Sequence, residues 1–201
     1  MRLARRSTLL SLLLVLFIVG SASAATANVS MTENVFTPKK VTIKIGDTVT
    51  WTNNGAVSHT STGNAPLNLW DSGTVTPGNS FGFTFFGGGK YPYHCTFHQS
   101  LGMTGTVSVK IKASPPSGPQ GTVFTITVGT IDDPAPFRYD IQWKRPGDDR
   151  WMPLFSIKTK SFTFDSTGQP PGIYRFRSRI RNPNTMVFSD YSVPKAITVT
   201  S

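Results

Sequence analysis

The sequence predicts an all-β chain folded as two sandwiches behind an N-terminal export signal. Three observations lead there. Short runs alternate β-branched or aromatic residues with polar ones, clusters of Gly, Pro and Asn separate the runs, and no long stretch carries helical periodicity. With 201 residues the chain is long enough for one large domain or two small ones, and 38% hydrophobic content argues against general disorder.

Residues 1–24, MRLARRSTLLSLLLVLFIVGSASA, come first. Arg2, Arg5 and Arg6 form a positive start, an apolar core follows from Leu9 to Gly20, and Ala22-Ser23-Ala24 supplies a small-x-small cleavage pattern. This pattern is that of a secretory signal peptide, and its apolar run is short for a membrane span. The expected mature protein is therefore exported, periplasmic or extracellular, with no integral span after cleavage. The formal charge of +10 falls to +7 when the three arginines leave, and the case for a nucleic-acid partner loses its basis.

The first sandwich is expected over 25–112, with strands including 41–45, 48–51, 81–85 and 106–109. The run Ala113-Ser114-Pro115-Pro116-Ser117-Gly118-Pro119 is expected to be a linker, because its prolines and glycine interrupt strands. A second sandwich follows over 120–201, with strands at 121–129, 138–145, 152–158, 161–165, 173–181 and 191–200.

The chemistry lies in the first half, which holds all three histidines and the single cysteine. One cysteine cannot form an intrachain disulfide, and an unpaired thiol outside the cytoplasm is expected to be buried or bound. Cys95, His98 and Met103 stand as C-x2-H-x4-M at a strand-to-loop junction, and His59 follows an earlier strand by a polar loop. Any one of these residues alone reads as core filler. Together, one thiolate, two imidazoles and a weak axial thioether are the inventory of a blue-copper electron-transfer site. His94 is expected to point away from the metal, since strand side chains alternate faces. Three histidines cannot build an additional trinuclear centre, so an electron carrier is expected rather than an oxidase. The second half has no histidine and cannot hold a Ser-His-Asp set.

Residues 27–110 resemble a small cupredoxin of the plastocyanin/amicyanin type. The resemblance is carried by Phe36-Thr37-Pro38, by Gly46-Asp47-Thr48-Val49-Thr50-Trp51-Thr52-Asn53, and by Trp70-Asp71-Ser72-Gly73 with Pro77-Gly78. The segment from Tyr91 through Cys95, His98 and Met103 to Val107 completes it. It implies an eight-stranded Greek-key sandwich with one type 1 copper, cycling between Cu(I) and Cu(II), at one end. It further implies ligands His59, Cys95, His98 and Met103, and redox protein partners docking near the His98 edge. The chain departs from the family next to the ligands. Ser58 and Thr60 stand where Pro and Asn are usual, and Phe97 stands where Pro is frequent. Thr60 with Thr96 is expected to tie the two copper loops together. A non-proline at 97 leaves an N–H for the sulfur, so Phe97→Pro is expected to lower the reduction potential.

Residues 120–200 resemble a fibronectin type III or related immunoglobulin-like module, with a strand at Tyr139–Lys144 and Tyr174 placed as a tyrosine corner. Arg175, Arg177, Arg179 and Arg181 share one strand face by period two. That face is either a cationic stripe for an acidic partner or a solvated sheet face whose arginines pair with Asp140 and other acids. At the level of function, electron transfer stands beside a copper-binding or sensing module that presents its metal state through the C-terminal domain.

Overall fold

The computed structural model describes residues 24–201, so the expected signal peptide lies, but for Ala24, outside the described residues. The first half contains β1 (Thr26–Thr32), β2 (Val35–Thr37), β3 (Lys40–Lys44), β4 (Thr48–Asn53), β5 (Thr62–Gly63), β6 (Ser80–Thr84), β7 (Gly89–His94) and β8 (Thr104–Lys110). They form two four-stranded sheets, ordered β2-β1-β4-β6 and β3-β8-β7-β5. Two of the pairings, β1 with β4 and β3 with β8, are parallel and join strands distant in sequence. Alternation decides which side chains meet between the sheets. Val49 and Trp51 of β4 face Tyr91 and Tyr93 of β7 across a core in which all four are almost wholly buried.

Aromatic contacts fill that core. Trp51 stacks on Trp70 at 5.6 Å between ring centroids and meets Tyr93 edge-on at 5.4 Å, and Phe36 meets Tyr93 at 4.7 Å. Each such pair adds about 0.5–1.5 kcal/mol beyond the area it buries, which stiffens the walls beneath the loops at the end of β7.

The second half is also a pair of sheets. The smaller contains β9 (Lys112–Ser114), β11 (Val123–Thr127) and β14 (Ser161–Asp165) in the order β14-β11-β9. The larger contains β10 (Ser117–Pro119), β12 (Arg138–Lys144), β13 (Met152–Ile157), β15 (Gly172–Asn182) and β17 (Lys195–Thr200) in the order β10-β17-β15-β12-β13. A short β16 (Val187–Phe188) pairs with β15. Here the structure differs from the expected strandless linker at 113–119. Residues 112–114 pair with β11, residues 117–119 pair with β17, and Pro115-Pro116 lies where the chain crosses between sheets. The prolines break one strand into two, and each piece finds a ladder in the second sandwich. Residues 191–194 lie outside β17, which begins at Lys195. The Tyr174 hydroxyl donates to the Pro170 carbonyl at 2.8 Å, the hydrogen bond of a tyrosine corner.

The arginine face is largely internally compensated. Arg179 and Arg181 share Asp140 at 3.2 and 2.9 Å, and Arg177 grips the Gln142 side-chain oxygen with two nitrogens at 3.0 and 2.6 Å. Aromatic rings interleave with them: the Arg177 guanidinium lies over Trp151 and Tyr191, and that of Arg179 over Phe188 and Tyr191.

The two sandwiches are joined by main-chain hydrogen bonds along Phe86–Lys90. Gly88 N–H donates to Val128 O at 2.9 Å, Thr130 N–H to Phe86 O at 2.9 Å, and Lys90 and Asp190 exchange bonds of 2.9 and 3.2 Å. Backbones approach this closely because residues 87–89 are glycines. A Cβ on Gly88 would run into Ile111 and Ser178, and one on Gly87 would lie 2.5 Å from Ile180. This contact lies at the start of β7, whereas Cys95 follows its far end.

Candidate metal centre

His59 is placed by an asparagine. Asn53 closes β4 and is completely buried; its Nδ2 donates to Val57 O and Val75 O, both at 2.8 Å, and its Oδ1 accepts from Gly55 N–H at 3.0 Å. A buried amide with three bonds satisfied fixes the turn that delivers His59. His59 then exchanges main-chain bonds with Val75 at 3.1 and 2.8 Å. The strap 70–75 holds the next residues: Ser61 N–H donates to Ser72 Oγ at 2.8 Å, and Trp70 Nε1–H to Ser61 Oγ at 3.1 Å.

The other donors come from the loop after β7. Cys95 N–H donates to Met103 O at 3.1 Å, His98 N–H to Cys95 O at 3.2 Å, and Met103 N–H to His98 O at 3.2 Å. A 3-10 turn at Gln99–Leu101 ends on Gly102 at φ 83°, a left-handed conformation that suits glycine and turns the chain back into β8. The loop is thereby closed on itself, with Cys95 and Met103 buried and His98 half-buried at its edge.

The ligand-type atoms of His59, Cys95 and His98 all lie within 4.8 Å of one another. Cys95 Sγ is 3.8 Å from His59 Nδ1 and 3.4 Å from His98 Nδ1. Donors that each sit about 2.0–2.3 Å from one ion lie within such distances of each other, so the cluster fits a single metal. His59, Cys95 and Met103 are wholly buried and His98 is half-buried, leaving one imidazole edge toward solvent. Burial, followed by the neighbouring His98, holds His59 below the ordinary imidazole range, which favours the neutral ring a metal binds. The set is soft, with no carboxylate among the clustered donors, and this matches copper rather than a hard cation. His94 stands outside the cluster, its Nδ1 2.7 Å from Asn64 Oδ1.

The residues around the donors form a relay. Thr96 N–H donates to Thr60 Oγ1 at 2.9 Å, and the Thr60 and Thr96 hydroxyls are 3.2 Å apart, so Thr60 does tie the two loops. Thr62 Oγ1 lies 3.0 Å from Thr60 Oγ1 and 3.0 Å from Asp71 Oδ1. Thr62 is the donor in both contacts, its one hydroxyl proton shared between the Thr60 hydroxyl and the Asp71 carboxylate. The sulfur receives Thr60 N–H at 3.3 Å. Among the described residues no hydrogen bond runs from Phe97 N–H to the sulfur, so the expected thiolate donor is replaced by one from the opposite loop. The Ser58 hydroxyl makes no hydrogen bond among the described residues. Phe97, at 52% exposure, turns outward, its ring 6.3 Å from that of His98.

Comparison with known proteins agrees with this geometry. The model of the copper-binding plastocyanin/azurin family matches residues 23–110. Over 85 residues the chain is 39% identical to plastocyanin of Scenedesmus fuscus, covering 38% of this chain and 87% of that protein. It is also 39% identical over 101 residues to chloroplastic plastocyanin of Tetradesmus obliquus, covering 44% of this chain and 70% of that protein. The chain belongs to the plastocyanin/azurin family of copper-binding proteins. Among solved structures, a purple cupredoxin from Nitrosopumilus maritimus is 27% identical over 42% of this chain and 99% of its own, with a TM-score of 0.39. This blue copper protein carries one type 1 copper and transfers electrons, as the cupredoxin half implies. Its second sandwich lies beyond the matched residues.

The sequence offers the four soft donors and the Thr60–Thr96 pair as candidates, but not Asn53, Ser61, Ser72 or the roles of Thr62 and Asp71. Their signal is weak, because Asn, Ser, Thr and Asp are ordinary turn residues. Only a fold shows which of them reach a ligand loop.

Proposed function

We propose that the protein is an exported single-electron carrier that holds one copper through His59, Cys95, His98 and Met103. The observation that carries this reading is the convergence of two imidazoles and a thiol within 4.8 Å at one closed end of the sandwich. Copper supplies the one-electron couple. Cys95 supplies a thiolate, His59 and Met103 keep the interior face dry, and the His98 edge is the port through which redox protein partners are met. Phe97, whose ring lies 6.3 Å from that of His98, and Leu101, bonded through its N–H to His98 O, give that port an apolar rim. Thr60, Thr96 and Ser58 border the ligands, with Thr60 and Thr96 restraining the loops so that little rearranges when charge changes. A donor set complete within the chain leaves no open position for substrate, which favours a carrier over a catalyst.

No helix among the described residues is long and apolar enough to cross a membrane. The proposed location, periplasmic or extracellular, rests on the composition of residues 1–24.

The test is the absorption spectrum of the full chain loaded with Cu(II), with stopped-flow reduction. An intense blue band that bleaches rapidly and reversibly is expected, and Cys95→Ser removes it. Colourless binding that reduces slowly overturns the reading.

A second reading, a module that reports its copper state through the C-terminal domain, is favoured by one observation. The main-chain bonds along Phe86–Lys90 give the second sandwich a fixed attachment to the first.

A further inference from the structure

Beside the main-chain seam the two sandwiches part to leave a cavity of about 340 Å3. This is at the lower end of small-molecule sites, which run from roughly 300 to 1,000 Å3. The copper half contributes Leu67, Trp70 and Pro92, and the second half contributes Met186 and Phe188. The seam itself is so close that glycines are needed, so the opening next to it is not simply loose packing of the whole interface.

Two features make it a site rather than a crevice. Met186 adopts φ 56°, a left-handed conformation that is costly for a residue with a long side chain, and yet is 62% exposed at the cavity's edge. Phe188, on the same wall, is 47% exposed. Met186 and Phe188 thus present apolar side chain at the opening, with the Arg179 guanidinium over the Phe188 ring and Arg181 Nη1 3.8 Å from the Met186 sulfur. The second feature is a pair of donors. Asn64 Oδ1 is used by His94 Nδ1–H at 2.7 Å, which leaves the Asn64 Nδ2 without a hydrogen bond among the described residues. The Lys90 ammonium likewise has no ion pair among the described residues.

The geometry points to a binding site for a small, planar, largely apolar molecule of about two rings carrying a hydrogen-bond-acceptor oxygen, of the aromatic ketone class. The rings lie among Leu67, Pro92 and Phe188 and cover Met186, while the oxygen accepts from Asn64 Nδ2 or Lys90 Nζ. The site does not depend on the copper assignment, because every residue that lines it lies outside the donor cluster. It is nevertheless coupled to that cluster: Asn64 holds His94, whose neighbour is Cys95, and Trp70 holds Ser61, whose neighbour Thr60 donates to the Cys95 sulfur.

The experiment is calorimetric titration of the full chain, copper-loaded and copper-free, with 1-tetralone, a two-ring ketone, and with tetralin, the same rings without oxygen. Saturable binding of one 1-tetralone per chain is expected in both forms. Tetralin should bind roughly five-fold or more weakly, the factor a single lost hydrogen bond is worth. Leu67→Trp, which fills the opening from one lip, and Met186→Asp, which makes the other lip polar, should each weaken 1-tetralone at least ten-fold, with folding checked by unchanged circular dichroism. Absence of saturable binding to the wild type overturns the site. Undiminished binding in both variants places the ligand elsewhere and also overturns it, and equal affinity for tetralin overturns the acceptor-oxygen class.

Discussion

Replacing Thr60 by valine removes one hydroxyl and keeps the shape of a side chain that is only 3% exposed. Three contacts are affected. Thr96 N–H loses its acceptor at 2.9 Å, the Thr96 hydroxyl loses a neighbour at 3.2 Å, and Thr62 loses one at 3.0 Å. The two hydroxyls can re-pair, because Thr96 is exposed to water and Thr62 keeps Asp71 at 3.0 Å. The amide of Thr96 cannot readily do so, and a partly buried donor left unsatisfied costs about 1–2 kcal/mol. The expected outcome is therefore a loss of about 1–2 kcal/mol, or a melting point lower by roughly 2–8 °C for a chain of this size. The assay is thermal and denaturant unfolding of copper-free wild type and Thr60→Val, with the reduction potential measured on the loaded forms. Loss of the tie between loops also predicts slower electron self-exchange, since each loop then moves independently when copper changes charge. A stability change below about 0.5 kcal/mol, within the range of ordinary surface substitutions, together with unchanged exchange, would refute the idea that Thr60 clamps the site.

Four further outcomes are expected. Cys95→Ser should abolish the blue absorption while leaving the far-ultraviolet spectrum of the sandwich intact. Met103→Leu should keep the colour and raise the reduction potential, because the weak axial donor to Cu(II) is gone; voltammetry measures this, and a fall in potential counts against Met103 as the axial group. Asp71→Asn preserves an acceptor for Thr62 but removes the negative charge that polarises the relay toward Thr96, so the potential should rise, and an unchanged value would mean the relay carries only position. Gly88→Ala should cost about 1–3 kcal/mol, because its Cβ would overpack against Ile111 and Ser178, and differential scanning calorimetry should then show the two sandwiches melting separately.

The parts legible in the sequence were those whose signal is local. Strand β12, with Tyr139, Ile141 and Trp143 inward and polar residues between, announces itself by period two, and so do β4 and β15. The donor set was legible because thiol, imidazole and thioether are rare residue types at close spacing. Other features depend on partners far along the chain. Strand β1 reads TANVSMT, with only Val29 and Met31 fully buried, and becomes a strand by parallel pairing with β4. The run 113–119 has the composition of a tether, yet each three-residue piece is held by a ladder that only the folded second sandwich supplies. Asn53 and Asp71 look like turn residues until the strap 70–75 and the loop 54–58 are placed beside the donors. The donor to the sulfur was expected from Phe97, one step from the ligand. It comes instead from Thr60, 35 positions away in sequence, which no local pattern encodes.

The glycines at 87–89 also bear on how this protein could be dissected. A copper half ended at residue 111 would keep its donors, but the Gly88 N–H that now bonds to Val128, and the Lys90 N–H and C=O that now bond to Asp190, would face water unpaired. Bare strand of this kind, with no side chain to block approach, is a template for pairing with another copy. An isolated copper half should thus be prone to self-association through this edge. The second sandwich serves its neighbour as a permanent shield, much as a chaperone would protect an exposed strand.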